Sequence, residues 1–286
     1  EYNKVDYLAV AFSHEGVELR KSGISIPIVV MNAITGSFYN MFEYNLEAEI
    51  YSFEILYQYI EEAKKYQIKE APIHIKIDTG MHRLGFMPEE VDKLCEILAN
   101  NKILRVKSIF SHLAASDESI HDEYTLKQIK EFDTIANEII KRIGYHVDKH
   151  ILNSAGIERF PQYQFDMVRL GIGLYGSSPV GQNKLQVVST LKTIITQIKK
   201  LPAKSSIGYS RKGTIDKDSI IGIIPIGYAD GLKRILSNKN GRVFINGKYA
   251  PIIGNICMDM SMIDITDIEA KVGDEVEIFG NHISLD

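Results

Sequence analysis

Cysteine is scarce in this chain of 286 residues, which contains only Cys95 and Cys257. Two cysteines are too few for a disulfide framework, so a small disulfide-stapled secreted module is excluded. Neither cysteine lies in a C-x-x-C pair or in another zinc-like spacing, and we therefore expect no metal site. A reducing, cytoplasmic setting fits this cysteine usage best.

The chain also lacks a strong excess of charge of one sign, and it lacks long apolar runs. The 33 lysines and arginines are opposed by 37 aspartates and glutamates, which gives a net charge of −4, and the two signs are interspersed. Without a basic stripe, we do not expect nucleic acid as a partner. No apolar run approaches the roughly 20 residues that a membrane helix needs, and no signal-peptide pattern opens the chain, so we expect no membrane partner.

The composition that remains, with 45% hydrophobic and 24% charged residues, is that of an ordinary globular protein. From residue 6 to about residue 176, short apolar runs alternate with segments of helical periodicity, as in repeated βα units. The predicted strands of this region are Tyr7–Ala11, Pro27–Met31, Leu46–Tyr51, Ile73–Ile77, Val106–Phe110, His150–Asn153 and Met167–Leu174.

These βα units predict an α/β fold: a TIM-type (β/α)8 barrel whose first strand is missing from this chain. An open doubly wound sheet is the alternative. The barrel domain is expected to comprise residues 1–184 and to be incomplete at its N-terminus. Residues 185–286 predict a mostly β domain, because longer strands are separated by turns such as the hairpin signal Asn246-Gly247. Its predicted strands are Ser189–Ile198, Ile220–Ile226, Arg242–Ile245 and Met260–Ile265.

Polar residues follow four of the predicted barrel strands. Since the carboxyl ends of barrel strands form one mouth, we expect Arg83, His112, Asn153 and Arg169 to converge there. The loops after the last two strands, Asn153–Gly156 and Gly171–Gly173, offer a hydroxyl and unobstructed backbone amides. Together they predict a site for a phosphate group.

The strand that contains Lys76 alternates strictly between apolar and polar residues. Ile73, Ile75 and Ile77 are expected to face the helices, which directs Lys76 into the barrel. A buried ammonium is costly unless it is paired or neutralised. Three interpretations are open: a salt bridge to Asp78 or another acid, a lysine that forms a Schiff base, and a chemically modified lysine.

Over most of its length the chain resembles the bacterial alanine racemases. The motifs that carry this resemblance occur in the family's order, namely Lys76–Gly85, Asn153–Gly156, Arg169–Gly176, Ile224–Gly231 and Gly254–Asp259. The resemblance implies a barrel that binds pyridoxal 5'-phosphate, followed by a mostly β domain. It also implies interconversion of L-alanine and D-alanine, with D-alanine supplied for peptidoglycan.

The resemblance implies specific roles for three residues near the reacting carbon. Arg169 matches the arginine that hydrogen-bonds the pyridine nitrogen, and a guanidinium cannot hand that ring a proton. His112 matches a histidine between this arginine and the catalytic tyrosine. Tyr209 matches that tyrosine, the base for one enantiomer, and a phenol needs positive charge nearby to act as a base at neutral pH. From the residues alone, the favoured interpretation of Tyr209 is an aromatic at the end of a strand, on the rim of a core.

Further matches concern cofactor and substrate binding. Arg83 resembles the arginine that contacts the cofactor phenolate and the substrate carboxylate, and Lys76 matches a lysine that is often carbamylated in this family. Met258 matches a residue whose backbone N–H binds the substrate carboxylate, and Tyr228 one at the site entrance. The positions that match the phosphate site are Asn153, Ser154, Gly171 and Ile172. In the family Tyr209, Tyr228 and Met258 belong to the partner's active site, so a head-to-tail homodimer is implied.

Two family features are not found in the sequence. The lysine that binds the cofactor covalently lies upstream of Glu1 in the family, and a tyrosine-bearing tail lies beyond Asp286. We therefore expect an incomplete segment that is inactive alone. The alternatives are another pyridoxal-phosphate-dependent racemase or decarboxylase on the same barrel, and a non-catalytic cofactor-binding module.

Overall fold

The structure is a computed structural model that describes residues 4–181 and 185–284. The chain divides into two compact units, Glu1–Gly171 and Ile172–Asp286. Residues 182–184, next to the predicted domain boundary, lie outside the described residues. That boundary stays a prediction.

The first unit is built from alternating strands and helices. Its strands form one parallel sheet in the sequential order β1 to β6. The strands are β1 (Leu8–Val10), β2 (Ile28–Val30), β3 (Glu47–Ile50), β4 (Ala71–Lys76), β5 (Leu104–Phe110) and β6 (Asp148–His150). The helices are α1 (Ser13–Lys21), α2 (Phe38–Glu43), α3 (Phe53–Lys65), α4 (Val91–Asn100), α5 (Asp122–Ile143) and α6 (Ser154–Arg159).

Sequential order distinguishes the two fold hypotheses. A doubly wound sheet reverses its strand order at a switch point, whereas a barrel adds each strand beside the last. The order found here is that of the barrel, and the predicted fold class is confirmed.

The predicted faces of β4 are also confirmed. Ile73, Ile75 and Ile77 are fully buried in the core that includes Leu56 and Tyr59 of α3. The tyrosine hydroxyl of Tyr59 donates to the backbone of Pro72 at 3.1 Å, which satisfies its polar end. The opposite face of β4 carries His74 and Lys76, which are buried among polar groups instead.

One predicted barrel strand is wrong in the described structure. Met167–Leu174 forms no strand, and a 3-10 turn occupies Ile172–Tyr175. The segment before it makes isolated backbone bonds, from Asp166 N to Lys149 O and from Arg169 N to Leu152 O. Strand β6 also ends at His150 rather than Asn153, because Asn153 caps helix α6.

The second unit is mostly β. Three sheets have the orders β14-β11-β8, β13-β12-β15-β7 and β10-β9. The strands are β7 (Leu191–Ile194), β8 (Gln197–Leu201), β9 (Ser206–Ile207), β10 (Gly213–Thr214), β11 (Ser219–Ile224), β12 (Arg242–Ile245), β13 (Lys248–Pro251), β14 (Ser261–Asp264) and β15 (Glu275–Phe279).

The details of this unit confirm one prediction and correct another. The hairpin at Asn246-Gly247 joins β12 to β13 with positive φ at both residues, as such a turn requires. The predicted strand Ser189–Ile198 is instead two strands in different sheets. Ile195 N bonds to Asp274 O while Thr196 N bonds to Ile223 O, so the chain crosses from one sheet to another at these residues.

The longest helix described is α5, with 22 residues. Buried residues such as Ile129, Phe132 and Ile139 form one stripe along it, whereas Leu126 is exposed. No helix in the described parts of the chain is long and apolar enough to cross a membrane.

Candidate active site

A chain of hydrogen-bonded polar side chains, buried at its centre and half-buried at its ends, crosses the first unit from strand β3 to the segment after β6. Glu47 Oε2 lies 2.7 Å from His74 Nε2, and His74 Nδ1 lies 2.7 Å from Ser108 Oγ. Ser108 Oγ lies 2.8 Å from His150 Nε2, and His150 Nδ1 lies 2.6 Å from Arg169 Nη1. We call these five residues the polar relay.

The direction of the hydrogen bonds in the polar relay follows from the guanidinium at one end and from a neutral His74 at the other. A guanidinium only donates, so His150 must accept at Nδ1 and carry its proton on Nε2. Ser108 therefore accepts from His150 and donates to the neutral His74 ring, which carries its own proton on Nε2 toward the Glu47 carboxylate. Burial, followed by the charge of Arg169, lowers the pKa of His150 well below its usual value, in keeping with a neutral ring.

Arg169 has most of its donors committed to the protein. Nη1 donates to His150, and Nη2 donates to the carbonyls of Ser111 at 2.7 Å and Ile151 at 3.2 Å. Among the described residues none accepts from its Nε, so that N–H remains for a ligand. Burial lowers the pKa of Arg169 to about 10, against the opposing charge of Glu49, and the group stays a cation at neutral pH.

His112 lies beside Arg169, as predicted. Arg169 Nη2 donates to His112 Nδ1 at 3.2 Å. Burial lowers the pKa of His112 to about 4, and the charges of Arg169, Arg83 and Lys76 act in the same direction. The ring is therefore neutral at physiological pH.

Arg83 is an exposed residue in the loop after β4. Its charge acts on both His112 and Glu49, which places it within electrostatic reach of the Arg169 cluster. The loop is shaped by Asp78, whose carboxylate accepts from the backbone of Gly80 and His82 at 2.8 and 3.1 Å. It closes where Gly85, at φ +133°, passes so near Asp78 that a Cβ would lie 2.6 Å from its backbone nitrogen.

Lys76 points into the first unit, as predicted, and its partner is Glu49. Nζ lies 2.8 Å from Glu49 Oε1, and the two side chains are 6% and 0% exposed. Of the three interpretations that the sequence left open, this geometry matches the salt bridge, with an acid other than Asp78. Burial raises the pKa of the Glu49 carboxyl, against the opposing charges of Lys76, Arg169 and Arg83.

The predicted phosphate site is partly assembled within the first unit. Asn153 caps helix α6, since its Oδ1 accepts from Gly156 N at 2.9 Å and from Ser116 Oγ at 2.8 Å. Ser154 begins the helix, and its Oγ accepts from Gly171 N at 3.1 Å. Ile172 belongs to the second unit and is exposed.

Tyr209 and Met258 line one groove of the second unit, with a volume of about 810 Å³. Tyr209 is 70% exposed and follows Gly208, whose φ is +73°. Asn255 donates from Nδ2 to Tyr209 O at 3.2 Å and so connects this turn to the Met258 loop.

Tyr228 contacts the same Met258 loop through its backbone. Tyr228 N donates to Cys257 O, and Ala229 N to Met258 O, both at 3.0 Å. The tyrosine ring is 42% exposed, with the guanidinium of Arg234 5.7 Å from its centroid. The structure thus brings Tyr209, Tyr228 and Met258 together, although they are far apart in sequence.

Several residues of the site were missed by sequence reasoning: the buried Glu49, His74, Ser108 and His150, and the half-buried Glu47. A signal for two of them was present. Glu47 and Glu49 alternate with Ala48 and Ile50 in a short buried strand, just as His74 and Lys76 alternate with isoleucines in β4. Acids at that spacing face the same side as the lysine and were the available partners.

Comparison with known proteins agrees with this architecture. The family model described as "Alanine racemase, N-terminal domain" matches residues 1–179, and "Alanine racemase, C-terminal domain" matches residues 188–286. The chain belongs to the alanine racemase family. Its curated relatives include alanine racemase 1 of Clostridium acetobutylicum, 42% identical over 97% of this chain and 73% of the relative. The alanine racemase of Methanococcus maripaludis is 40% identical over 97% of this chain and 76% of its own length.

Solved structures of alanine racemases are similar as well. The enzyme of Clostridium difficile 630 is 37% identical, with a TM-score of 0.87 over 99% of this chain and 75% of that one. The enzyme of Streptomyces lavendulae is 27% identical, with a TM-score of 0.91 over 97% of this chain and 75% of that one. Both fold and family are therefore shared with enzymes named for alanine racemisation.

Proposed function

We propose that the protein interconverts L-alanine and D-alanine with pyridoxal phosphate as cofactor, and that its D-alanine serves peptidoglycan synthesis. The observation that carries this proposal is the state of Arg169. Its terminal nitrogens are committed to His150, His112 and backbone carbonyls, while Nε has no acceptor among the described residues. A pyridine nitrogen is an acceptor that fits this one remaining donor.

The residues present fit the cofactor at its phosphate end too. The Ser154 hydroxyl and the Gly171 amide lie 3.1 Å apart, and we assign them to the phosphate together with Asn153 and Ile172. When bound, the cofactor supplies an electron sink for the carbanion at the alanine α-carbon. Arg169 limits that sink, because a guanidinium donates a hydrogen bond to the ring nitrogen without transferring the proton.

The chain's own residues then bind the substrate and move its proton. We assign Arg83 and the backbone N–H of Met258 to the substrate carboxylate, and Tyr228 to the entrance. Tyr209 Oη removes or returns the α-proton on one face of the substrate. Racemisation requires a base on each face, so Tyr209 serves one direction of the reaction and a second base serves the other.

The exposed positions of Tyr209, Tyr228 and Met258 support a head-to-tail homodimer, in which these residues face the partner copy's barrel. Mixing an Arg169→Ala variant with a Tyr209→Phe variant tests this arrangement. We expect mixed dimers to regain activity, because one of their two sites contains both intact residues. A monomeric active enzyme, or mixed dimers without activity, would contradict the proposal.

Hydrogen exchange at the α-carbon tests the reaction and the role of Tyr209. The complete natural chain, supplied with pyridoxal phosphate, should racemise alanine in deuterated water. Tyr209→Phe should slow deuterium incorporation from one enantiomer far more than from the other. Tyr249→Phe, an exposed tyrosine of the same unit that bonds to His282 O, is the matched control and should leave both rates unchanged. Small, equal losses for Tyr209→Phe would remove its assignment as a base.

A further inference from the structure

The ion pair between Glu49 and Lys76 is the most deeply buried pair of opposite charges in the described site. Glu49 is completely buried and Lys76 is 5% exposed. The ring of Phe110 also lies near the ammonium, with its centroid 5.4 Å from Lys76 Nζ and 5.2 Å from the Arg169 guanidinium. Neither carboxylate oxygen of Glu49 has a partner with hydrogen-bond geometry among the described residues. The Glu49 carboxylate therefore interacts with the Lys76 ammonium mainly as a charge.

The ion pair with Glu49 determines whether Lys76 can be carbamylated. Carbamylation requires a neutral amine: Nζ forms a bond to the carbon of CO2, one C–O π bond opens to give a carboxylate, and nitrogen releases a proton to solvent. A carboxylate 2.8 Å away stabilises the ammonium that must lose this proton. It would also lie next to the new carbamate, and two neighbouring anions repel strongly in a dry interior.

Glu49 also lies within electrostatic reach of the two arginines of the site. The charges of both Arg169 and Arg83 act on its carboxyl, and of the two Arg83 is the exposed residue. We propose that Glu49 supplies the negative charge of the site. It keeps Lys76 an unmodified ammonium and is a positioning residue for Arg83. The part that concerns Arg83 rests on the proposed function, whereas the state of Lys76 does not.

Carbon-13 NMR with labelled bicarbonate tests the state of Lys76 without catalysis. Lys76→Arg is the reference spectrum, since a guanidinium is not carbamylated. The complete natural chain should show no carbamate resonance beyond those seen in Lys76→Arg. Glu49→Gln should gain one such resonance, because its Lys76 has lost the charge that holds the proton. Glu47→Gln is the matched control: it lies on the same face of the same strand, contacts His74 instead, and should gain none.

Activity supplies a second readout. In Glu49→Gln we expect the KM for alanine to rise roughly tenfold, equivalent to about 1.4 kcal/mol, with a smaller change in kcat. Bicarbonate should reverse part of that rise, because a carbamate on Lys76 restores a negative charge near Arg83. A loss of packing alone would not respond to bicarbonate.

A Lys76-dependent carbamate in the wild-type chain would overturn the proposal, and so would a folded Glu49→Gln chain that gains none. The wild-type spectrum decides the matter even where Glu49→Gln does not fold. A chain that gives the expected spectra and fails to racemise alanine contradicts the proposed function while supporting the charge assignment of Glu49.

Discussion

Ser108→Ala is the substitution that interrupts the polar relay at its centre. The Ser108 hydroxyl is 1% exposed and bonds to His74 Nδ1 at 2.7 Å and to His150 Nε2 at 2.8 Å. Alanine removes one oxygen atom and leaves both ring nitrogens without that partner. The space left behind is too small for a water molecule to replace the hydroxyl fully.

The expected loss of stability follows from those two groups. A buried donor or acceptor left without its partner costs roughly 1–3 kcal/mol. Here one acceptor, His74 Nδ1, and one donor, His150 Nε2, lose their partner. Allowing for partial relaxation of the two imidazoles, we expect Ser108→Ala to lower the free energy of unfolding by roughly 2–4 kcal/mol.

Urea denaturation followed by helical circular dichroism measures this loss. Every α-helix described lies between Ser13 and Arg159, so the helical signal reports on the unit that contains the relay. Thr125→Val is the matched control. Thr125 is fully buried on α5, and its hydroxyl has no hydrogen-bond partner among the described residues, so its removal should be neutral or stabilising. Equal losses in both variants would refute the assigned bonding of the relay.

Three further predictions concern the same unit. The folded-state pKa of His112 is about 4 and its usual value is 6.5, so the unfolded chain takes up this proton first as pH falls. We expect the free energy of unfolding to decline by roughly 2–3 kcal/mol between pH 6.5 and 4. In His112→Gln, urea denaturation should show a smaller change of that free energy over the same pH range. Gly85→Ala should lower the thermal midpoint far more than Gly23→Ala, since both have positive φ but only the former places a Cβ against backbone; equal shifts would contradict the close approach. Asn153→Ala should lower the free energy of unfolding in urea by about 1 kcal/mol, because the α6 cap is lost. Asn153→Asp should keep most of that stability, since a carboxylate can also cap the helix.

The barrel could be predicted because its strands repeat a pattern. Short apolar runs bounded by helical segments specify parallel strands, and polar residues at their ends specify the mouth, which is how His112 was found after β5. The seventh predicted strand failed at Gly171 and Gly173, which weaken extended pairing and favour the turn that follows. Apolar content alone does not distinguish a strand from such a segment.

The partners within the site could not be predicted to the same degree. A salt bridge from Lys76 to Asp78 or another acid was one of three interpretations that the sequence left open, and Asp78 instead accepts from two amides of its own loop. The actual partner, Glu49, lies 27 residues earlier on the neighbouring strand. Its contact depends on the stagger between β3 and β4, which a single sequence does not specify.

The protonation states of the first unit limit what it can do in catalysis. His112 has a pKa of about 4, His150 is lowered well below its usual value, and Arg169 has a pKa of about 10. Neither His112 nor Arg169 changes its charge between pH 5 and 8, and the lowered pKa of His150 favours its neutral form, so this cluster binds and orients a ligand without exchanging protons there. A base that works near neutral pH must then come from outside the cluster, which is the role proposed for Tyr209 of the second unit. It follows that His112→Gln should alter the rate of racemisation without moving the pH at which that rate is half-maximal, whereas a shifted midpoint would make His112 the proton carrier.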